Sequence, residues 1–312
     1  MNPALLLLAD SRLPAGGHAH SGGTEQAITS GAVSDVPSLA RFLRGRLHTT
    51  GALAATLTTA AHTHATTTSA VITPAAITQP PATSAGPATS PPSTAAGPRT
   101  DAGTRADAGT RVDAGTRANA EAGQAVSESP WVLLDAEVDA RTAAPAQRDA
   151  SRTQGRLLLR VARRMWPSPV LEELARAVPS PHHPIALGAV AYAAGATAEE
   201  AAMAAAYHAI SGPATAAVRL LGLDPVAVHG LLADLTPDLT AIATEAHLAV
   251  TNARSTAHVA HPDATAHPGL TSRPPDPADP LPWLAALPAY SSPALDLLAE
   301  QHARAEVRLF VS

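Results

Sequence analysis

Histidine is the residue type in this sequence with the clearest capacity for metal chemistry. Fourteen of the 312 residues are histidines, and imidazole is a ready ligand for nickel or zinc. A structural metal site usually gathers three or four ligands on a rigid frame, whereas these residues fall in segments that we interpret as loops. We therefore assign no metal ligand and keep a direct nickel-binding role as an alternative. The closely spaced pairs are His18 and His20, His62 and His64, and His182 and His183.

A glycine-rich segment near the N-terminus has the spacing of a phosphate-binding loop. Residues Gly17–Thr24 read GHAHSGGT, but Gly23 stands where that motif needs a lysine to reach the outer phosphates. No strand precedes the segment either. We predict a connection between two helices and no bound nucleotide, with Pro14 and the glycines setting the path of the backbone.

A row of arginines is the sharpest electrostatic feature of the sequence. Arg148, Arg152, Arg156 and Arg160 are each four residues apart, so on one helix they would lie on adjacent turns of the same face. Because arginine is enriched at interface hot spots, the row predicts a docking surface for an acidic partner. The alternative is a solvated helix face with partial pairing to nearby carboxylates. Those carboxylates are Asp135, Glu137, Asp139 and Asp149.

No set of side chains in the sequence specifies a catalytic site. Glu199 and Glu200 are better explained as a helix cap, and the acidic residues after Trp131 are interpreted as solvated. The chain has no cysteine, which excludes disulfides and thiolate chemistry. We predict a protein that is not an enzyme, with no catalytic residue and no cofactor. A helical enzyme with a pocket between helices is a second alternative.

The composition and the capping signals predict an all-α fold. The chain is 46% hydrophobic but only 3% aromatic, and a core of alanine and leucine favours close-packed helices. A cap residue followed by proline recurs along the chain, and Gly212–Pro213 should kink or split its helix. The predicted helices are residues 36–62, 146–165, 170–177, 185–194, 198–221, 226–235, 239–250 and 294–302, followed by an extended tail over 307–311.

Two segments contain too few large apolar residues to form a packed core. Residues 61–129 are rich in Ala, Thr and Pro and include a polar repeat of six residues, and residues 251–282 are rich in proline. We predict that both are disordered insertions. The remaining residues, 1–60 plus 130–250 plus 283–312, are then expected to form one compact helical domain.

Charge and hydropathy narrow the classes of partner. The formal net charge of -5 disfavours nucleic acid, and a DNA-binding helical protein is therefore the least favoured alternative. No segment reaches the roughly 20 apolar residues that cross a bilayer, and the N-terminal apolar run lacks a positive n-region. We expect a cytoplasmic protein that binds neither nucleic acid nor membrane.

Three stretches together resemble the UreF family of urease accessory proteins. The first is residues 7–25, LLADSRLPAGGHAHSGGTE, with the Leu-rich turn and the Leu-Pro-x-Gly-x loop of that family. The second is residues 150–158, ASRTQGRLL, which is similar to its Gly-interrupted basic helix. The third runs from His183 to Leu223 and resembles its helical hairpin, which ends in an Ala-Val-Arg-Leu-like motif that contains Arg219.

The resemblance implies a multi-helix accessory protein that binds UreD (UreH in some organisms) and, through that complex, the GTPase UreG. The assembly would dock on apo-urease and promote nickel insertion at a dimetal site with a carbamylated lysine, and a homodimer through the helical face stays open. We expect Arg308, Leu309 and Phe310 to form a tail that orders against UreD. The predicted partner-binding residues are Arg148, Arg152, Arg156, Arg160, Arg219, Arg308, Leu309 and Phe310.

Overall fold

The computed structural model describes residues 2–10, 13, 20–72, 129–259, 281–305 and 309–310. These residues are helical with short connections and contain no β-strand, which confirms the predicted all-α class. The α-helices are α1 (Ala4–Ala9), α2 (Thr24–Thr29), α3 (Val36–Arg46), α4 (Ala52–Ile72), α5 (Pro130–Arg141), α6 (Pro145–Met165), α7 (Pro169–Ala177), α8 (His183–Ala193), α9 (Ala198–Leu221), α10 (Pro225–Asp234), α11 (Thr236–Val259) and α12 (Pro293–Arg304). A π-helical turn, Leu47–Gly51, joins α3 to α4, and a 3-10 turn spans Pro282–Ala286.

Several helix starts follow directly from the sequence. Thr197 and Glu200 form the predicted capping box of α9, with the Glu200 amide donating to Thr197 Oγ1 at 3.1 Å. Asp224 accepts the Val226 amide at 3.0 Å at the start of α10. Pro169, Pro225 and Pro293 occupy the first positions of their helices, where proline leaves no amide without a partner.

The core is built around α4, α8 and α9. Helix α8 is apolar on every side, and all its residues from Pro184 to Ala191 are buried, as expected for a central helix. Gly188 has no room for a methyl group, since an ideal Cβ there would lie 2.4 Å from the Thr58 carbonyl oxygen on α4. Small residues thus let the α4 and α8 backbones approach closely.

Two helices extend into the first residues of the segments predicted as insertions. Helix α4 continues past residue 61 to Ile72, and Ala61, His62 and Ala65 are buried in it. This stretch carries alanine and threonine in place of large apolar residues, but it packs against α8, where small side chains suffice. Helix α11 likewise continues past residue 250 to Val259. Residues 73–128 and 260–280 lie outside the described residues.

Two other features differ from the expectation. Helix α9 runs unbroken through Gly212–Pro213 instead of being split there. The sequence signals do not predict helix α5, and its Asp135 is buried, whereas the acidic residues of this segment are expected to be solvated. Its Trp131 is also fully buried, so α5 is part of the core.

Among the described residues, no single helix is long and apolar enough to cross a membrane. Helix α10 and residues 236–257 of α11 pass that test only as a pair, with a 43° bend between them.

Candidate functional site

The C-terminal residues bind back onto the helical body at α2. The Leu309 amide donates to Glu25 Oε1 at 2.9 Å, and the Phe310 amide donates to Glu25 Oε2 at 3.1 Å. His302 on α12 is buried and donates from Nε2 to the Phe310 carbonyl oxygen at 3.1 Å. One carboxylate therefore holds two consecutive amides, and we call Glu25, Arg219, His302, Leu309 and Phe310 the tail cluster.

The two tail side chains point to different surroundings. The Phe310 ring is 8% exposed and has the Arg219 guanidinium 4.9 Å from its centroid, which is a cation–π contact. Leu309 is 71% exposed. Phe310 thus anchors the tail to this chain, while Leu309 is available to another molecule. Arg308 lies outside the described residues.

The arginine row on α6 divides into two groups. Arg152 donates to Asp135 Oδ2 at 2.8 Å and also bonds Asp139, so it pairs with two residues of α5. Arg148 donates to the Thr142 carbonyl oxygen at 3.1 Å and lies 4.0 Å from Asp139. For these two residues the structure shows pairing with nearby carboxylates, which is the alternative to a docking surface.

The second group of arginines is available at the surface. Arg156, Arg160 and Arg164 are exposed, and no carboxylate of the described residues forms an ion pair with them. Arg163 is exposed as well but pairs with Glu172 on α7. We call Arg156, Arg160 and Arg164 the arginine face. Two of its members, Arg156 and Arg160, belong to the predicted docking surface.

Asp135, Asp139, Arg152 and His182 form a network that joins α5, α6 and the start of α8. The His182 amide donates to Asp135 Oδ1 at 2.7 Å, and its ring Nε2 donates to Asp139 Oδ1 at 2.9 Å. Burial would raise the pKa of Asp139, but the hydrogen bonds and charges of His182 and Arg152 outweigh it and hold that pKa below its ordinary value. Burial lowers the pKa of His182, and the carboxylates of Asp135 and Asp139 oppose that shift.

Comparison with known proteins bears on the whole chain. Residues 106–236 match the family model UreF. The chain is 34% identical to the urease accessory protein UreF of Mycobacterium sp. (strain JLS) over 99% of this chain and 97% of that protein. It is 32% identical to the urease accessory protein UreF of Mycobacterium marinum (strain ATCC BAA-535 / M) over the same shares.

The chain belongs to the UreF family. With the urease accessory protein UreF of Mycolicibacterium vanbaalenii it shares 34% identity over 78% of this chain and 84% of that protein. The predicted family and fold class are thereby confirmed.

One group of described residues in this UreF chain has ligand atoms close enough together for a metal ion. The ligand atoms of Asp135, Asp139 and His182 lie within 4.8 Å of one another. However, the Arg152 guanidinium already pairs with both carboxylates. The set therefore fits a structural ion-pair network better than a metal site.

The histidines that suggested a metal site prove to be mostly core residues. His62 and His64 lie on α4, not in a loop, and the His62 ring bonds the Ala196 carbonyl oxygen at 2.8 Å. His64 packs edge-on against Trp131, with 4.5 Å between ring centroids. His182 is fully buried in the network. His18 lies outside the described residues.

Two groups of residues have no predicted role in the sequence: those that receive the tail and those that line a cavity. Glu25 ends the family-like stretch 7–25, but nothing in the sequence links it to His302, which comes near it only because α2 packs against α12. A cavity of about 530 Å³ is lined by residues of α4, α6, α8, α9 and α12, among them His183, Tyr207 and His208. Arg46, at the end of α3, lines it as well.

Proposed function

We propose that this chain acts in urease maturation as a non-catalytic scaffold. It would bind UreD (UreH) and thereby link the GTPase UreG to apo-urease for nickel insertion. The observation that carries the proposal is the similarity to urease accessory proteins over almost the full length of both chains. A regulator of a GTPase needs differential affinity for its partner's states and no chemistry of its own.

The tail cluster and the arginine face are the surfaces that we propose for these partners. Leu309 presents an exposed apolar side chain at a point that Glu25 and Phe310 hold in place. Because its backbone is already held, a partner that covers Leu309 would lose little ordering entropy there. The arginine face would attract an acidic surface, and arginine suits paired contacts with carboxylates.

The test is a co-expression pull-down of this chain with a UreD partner, with and without UreG. We expect a stable binary complex that recruits UreG. Failure of the folded chain to bind a well-folded UreD would overturn the scaffold proposal.

Two surface variants locate the contacts. L309D should weaken retention of UreD because it places a charge in an apolar contact, and R156E–R160E should weaken recruitment of an acidic partner. The matched control for the second variant is R176E–R254E, which reverses the charge of two exposed arginines elsewhere. Equal recruitment by all these variants would remove both surfaces from the proposal.

A homodimer is a further proposal, and it predicts a solution mass of twice 31.5 kDa. Light scattering on the purified chain measures that mass, and a monomer at all concentrations would contradict it.

A further inference from the structure

Arg46 lines the cavity and donates hydrogen bonds to α9 and to the segment that precedes α2. Its Nε donates to the Ala209 carbonyl oxygen on α9 at 2.7 Å, and its Nη1 donates to the Gly22 carbonyl oxygen at 2.7 Å. A guanidinium has five N–H donors in a fixed fork, so these contacts leave donors on Nη1 and Nη2 unused. Nη2 forms no hydrogen bond with any of the described residues.

Arg46 shares the cavity wall with two acidic residues, Asp10 and Asp296. No carboxylate of the described residues forms an ion pair with it, in contrast to Arg44, which pairs with Asp238 at 3.2 Å. Burial lowers the pKa of Arg46 to about 10, so the group is still a cation at neutral pH. Arg46 is half-buried, and a cation that loses part of its contact with water is costly unless a counter-charge or further hydrogen bonds compensate for it.

The remainder of the cavity wall suits a small polar ligand. The His183 ring lines the cavity 5.6 Å from the His208 ring, measured between centroids, and has no hydrogen-bond partner among the described residues. Tyr207 and Ser211 also line the cavity. Its volume of about 530 Å³ falls within the range of about 300–1,000 Å³ that is common for small-molecule sites.

We propose that this cavity binds a small oxyanion, with Arg46 as its anchor. The unused donors of the fork match a pair of oxygens of a carboxylate or a phosphoryl group, which a guanidinium binds in bidentate fashion. The bound anion would form the direct ion pair that no carboxylate of the described residues forms with Arg46. This site is independent of the proposed scaffold function, since no residue of the tail cluster or the arginine face lines the cavity.

The experiment is a calorimetric titration of the full chain at neutral pH with inorganic phosphate and, separately, with acetate. Sodium chloride keeps the ionic strength constant. We expect one of the two anions to bind with a dissociation constant of about 1 mM or below. The anion that binds shows whether the site prefers a phosphoryl group or a carboxylate. Absence of binding in both arms would overturn the proposal.

Variants of Arg46 tie any binding to the cavity. R46Q removes the charge, and we expect affinity to fall at least tenfold. Because R46Q also removes the donor to Ala209, a second variant, R46Q–P213A, restores a backbone amide at position 213 that can donate to that carbonyl oxygen. If R46Q alone does not fold, the affinity of R46Q–P213A for the anion is compared with that of P213A, which is its matched control.

Arg44 provides the control for charge alone. R44Q makes the same substitution two residues away, on an exposed side chain outside the cavity, and we expect it to leave the affinity unchanged. Equal affinity in wild type and folded R46Q–P213A would overturn the assignment. A loss in R44Q as large as that in R46Q–P213A would show a diffuse charge effect and would overturn it too.

Discussion

The Ala209 carbonyl oxygen accepts its hydrogen bond from Arg46 because Pro213 cannot provide one. In a regular helix the amide of residue 213 would donate to residue 209, but proline has no amide hydrogen. Arg46 Nε fills that position at 2.7 Å. This contact supplies the hydrogen bond that Pro213 cannot form where α9 continues through Gly212–Pro213, at which the sequence predicts a kink or a split.

The first prediction concerns R46M. It leaves the carbonyl oxygens of Gly22 and Ala209 without their donor, and we expect it to lower the free energy of unfolding by about 2–4 kcal/mol. In a P213A background the cost should be smaller by about 1 kcal/mol, because the restored amide serves Ala209. Urea denaturation of the four chains gives this double-mutant cycle. Equal costs in both backgrounds would contradict the role of Arg46 at Pro213.

The second prediction concerns two glycines at close helix contacts. An ideal Cβ on Gly155 would lie 2.1 Å from the Pro181 carbonyl oxygen, and one on Gly188 would lie 2.4 Å from that of Thr58. Because backbone atoms cannot move aside cheaply, we expect G155A and G188A each to cost about 3 kcal/mol. The control is G230A on α10, where nothing lies within 4 Å of an added Cβ. Alanine should stabilise that helix by about 0.8 kcal/mol.

Thermal and urea denaturation of these three variants measure the change in the free energy of unfolding. We expect a decrease for G155A and G188A and an increase for G230A. A stability for G155A or G188A equal to that of the parent chain would show that the α6 and α8 contacts have room for a methyl group.

The helix starts can be predicted from the sequence, whereas the course of α9 at Pro213 and the length of α4 cannot. Helix existence follows from local signals such as the Thr197–Glu200 capping box, because a cap involves residues three apart in the chain. The fate of Pro213 depends on Arg46, which is remote in sequence and supplies its donor only in the folded chain. The extension of α4 past residue 61 likewise depends on its packing against α8, which composition alone does not reveal.

The sequence likewise predicts some features of the candidate site and not others. The arginine row is visible in the sequence because a spacing of four defines a helix face, but the sequence does not tell which arginines pair with α5. Asp135 lies seventeen positions from Arg152, and α5 itself has only weak helix signals. Glu25 carries no such signal because it reaches Leu309 across 284 positions of sequence.

The third prediction concerns acid pH. Burial lowers the pKa of His64 to about 4, and burial together with the neighbouring His208 and His20 lowers that of His183 to about 3. Both rings are neutral when folded, whereas the unfolded chain takes up protons below the ordinary histidine pKa of about 6.5. The unfolded state therefore binds more protons in this window, and stability falls as pH decreases from about 6.5 towards 4.

The melting temperature at a series of pH values tests this. H64F keeps an aromatic ring against Trp131 but removes one titrating group, so we expect a shallower fall of the melting temperature than in the parent chain. H229F is the control, since His229 lies exposed on α10. An equally steep fall in H64F and the parent chain would contradict a neutral buried His64.

The fourth prediction concerns the tail cluster. E25Q has the shape of the parent residue, but its single amide oxygen can accept from only one of the Leu309 and Phe310 amides at Oε1 and Oε2. We expect release of the C-terminal residues by carboxypeptidase to become about tenfold faster, because hydrogen bonds to a charged acceptor are the stronger ones. E245Q, at an exposed position on α11, serves as the control. Unchanged release in E25Q would show that Glu25 does not hold the tail.

The fifth prediction separates the folding role of the arginine row from its docking role. Arg152 pairs with Asp135, whose side chain is 7% exposed, so R152E would face two carboxylates, one of which is buried. We expect it to lower the free energy of unfolding by about 3 kcal/mol, as breaking a buried ion pair does. R156E changes an exposed residue without an ion pair among the described residues, and we expect a change within about 0.5 kcal/mol.

The pull-down with UreD and UreG then gives each variant a second measurement. R156E should retain the stability of the parent chain and lose partner recruitment, whereas R152E should lose recruitment only as far as it loses folded protein. Circular dichroism at the temperature of the pull-down determines the folded fraction for that comparison. A purely structural arginine affects recruitment only through folding. A fully folded R152E that fails to recruit its partner would therefore show that Arg152 belongs to the docking surface.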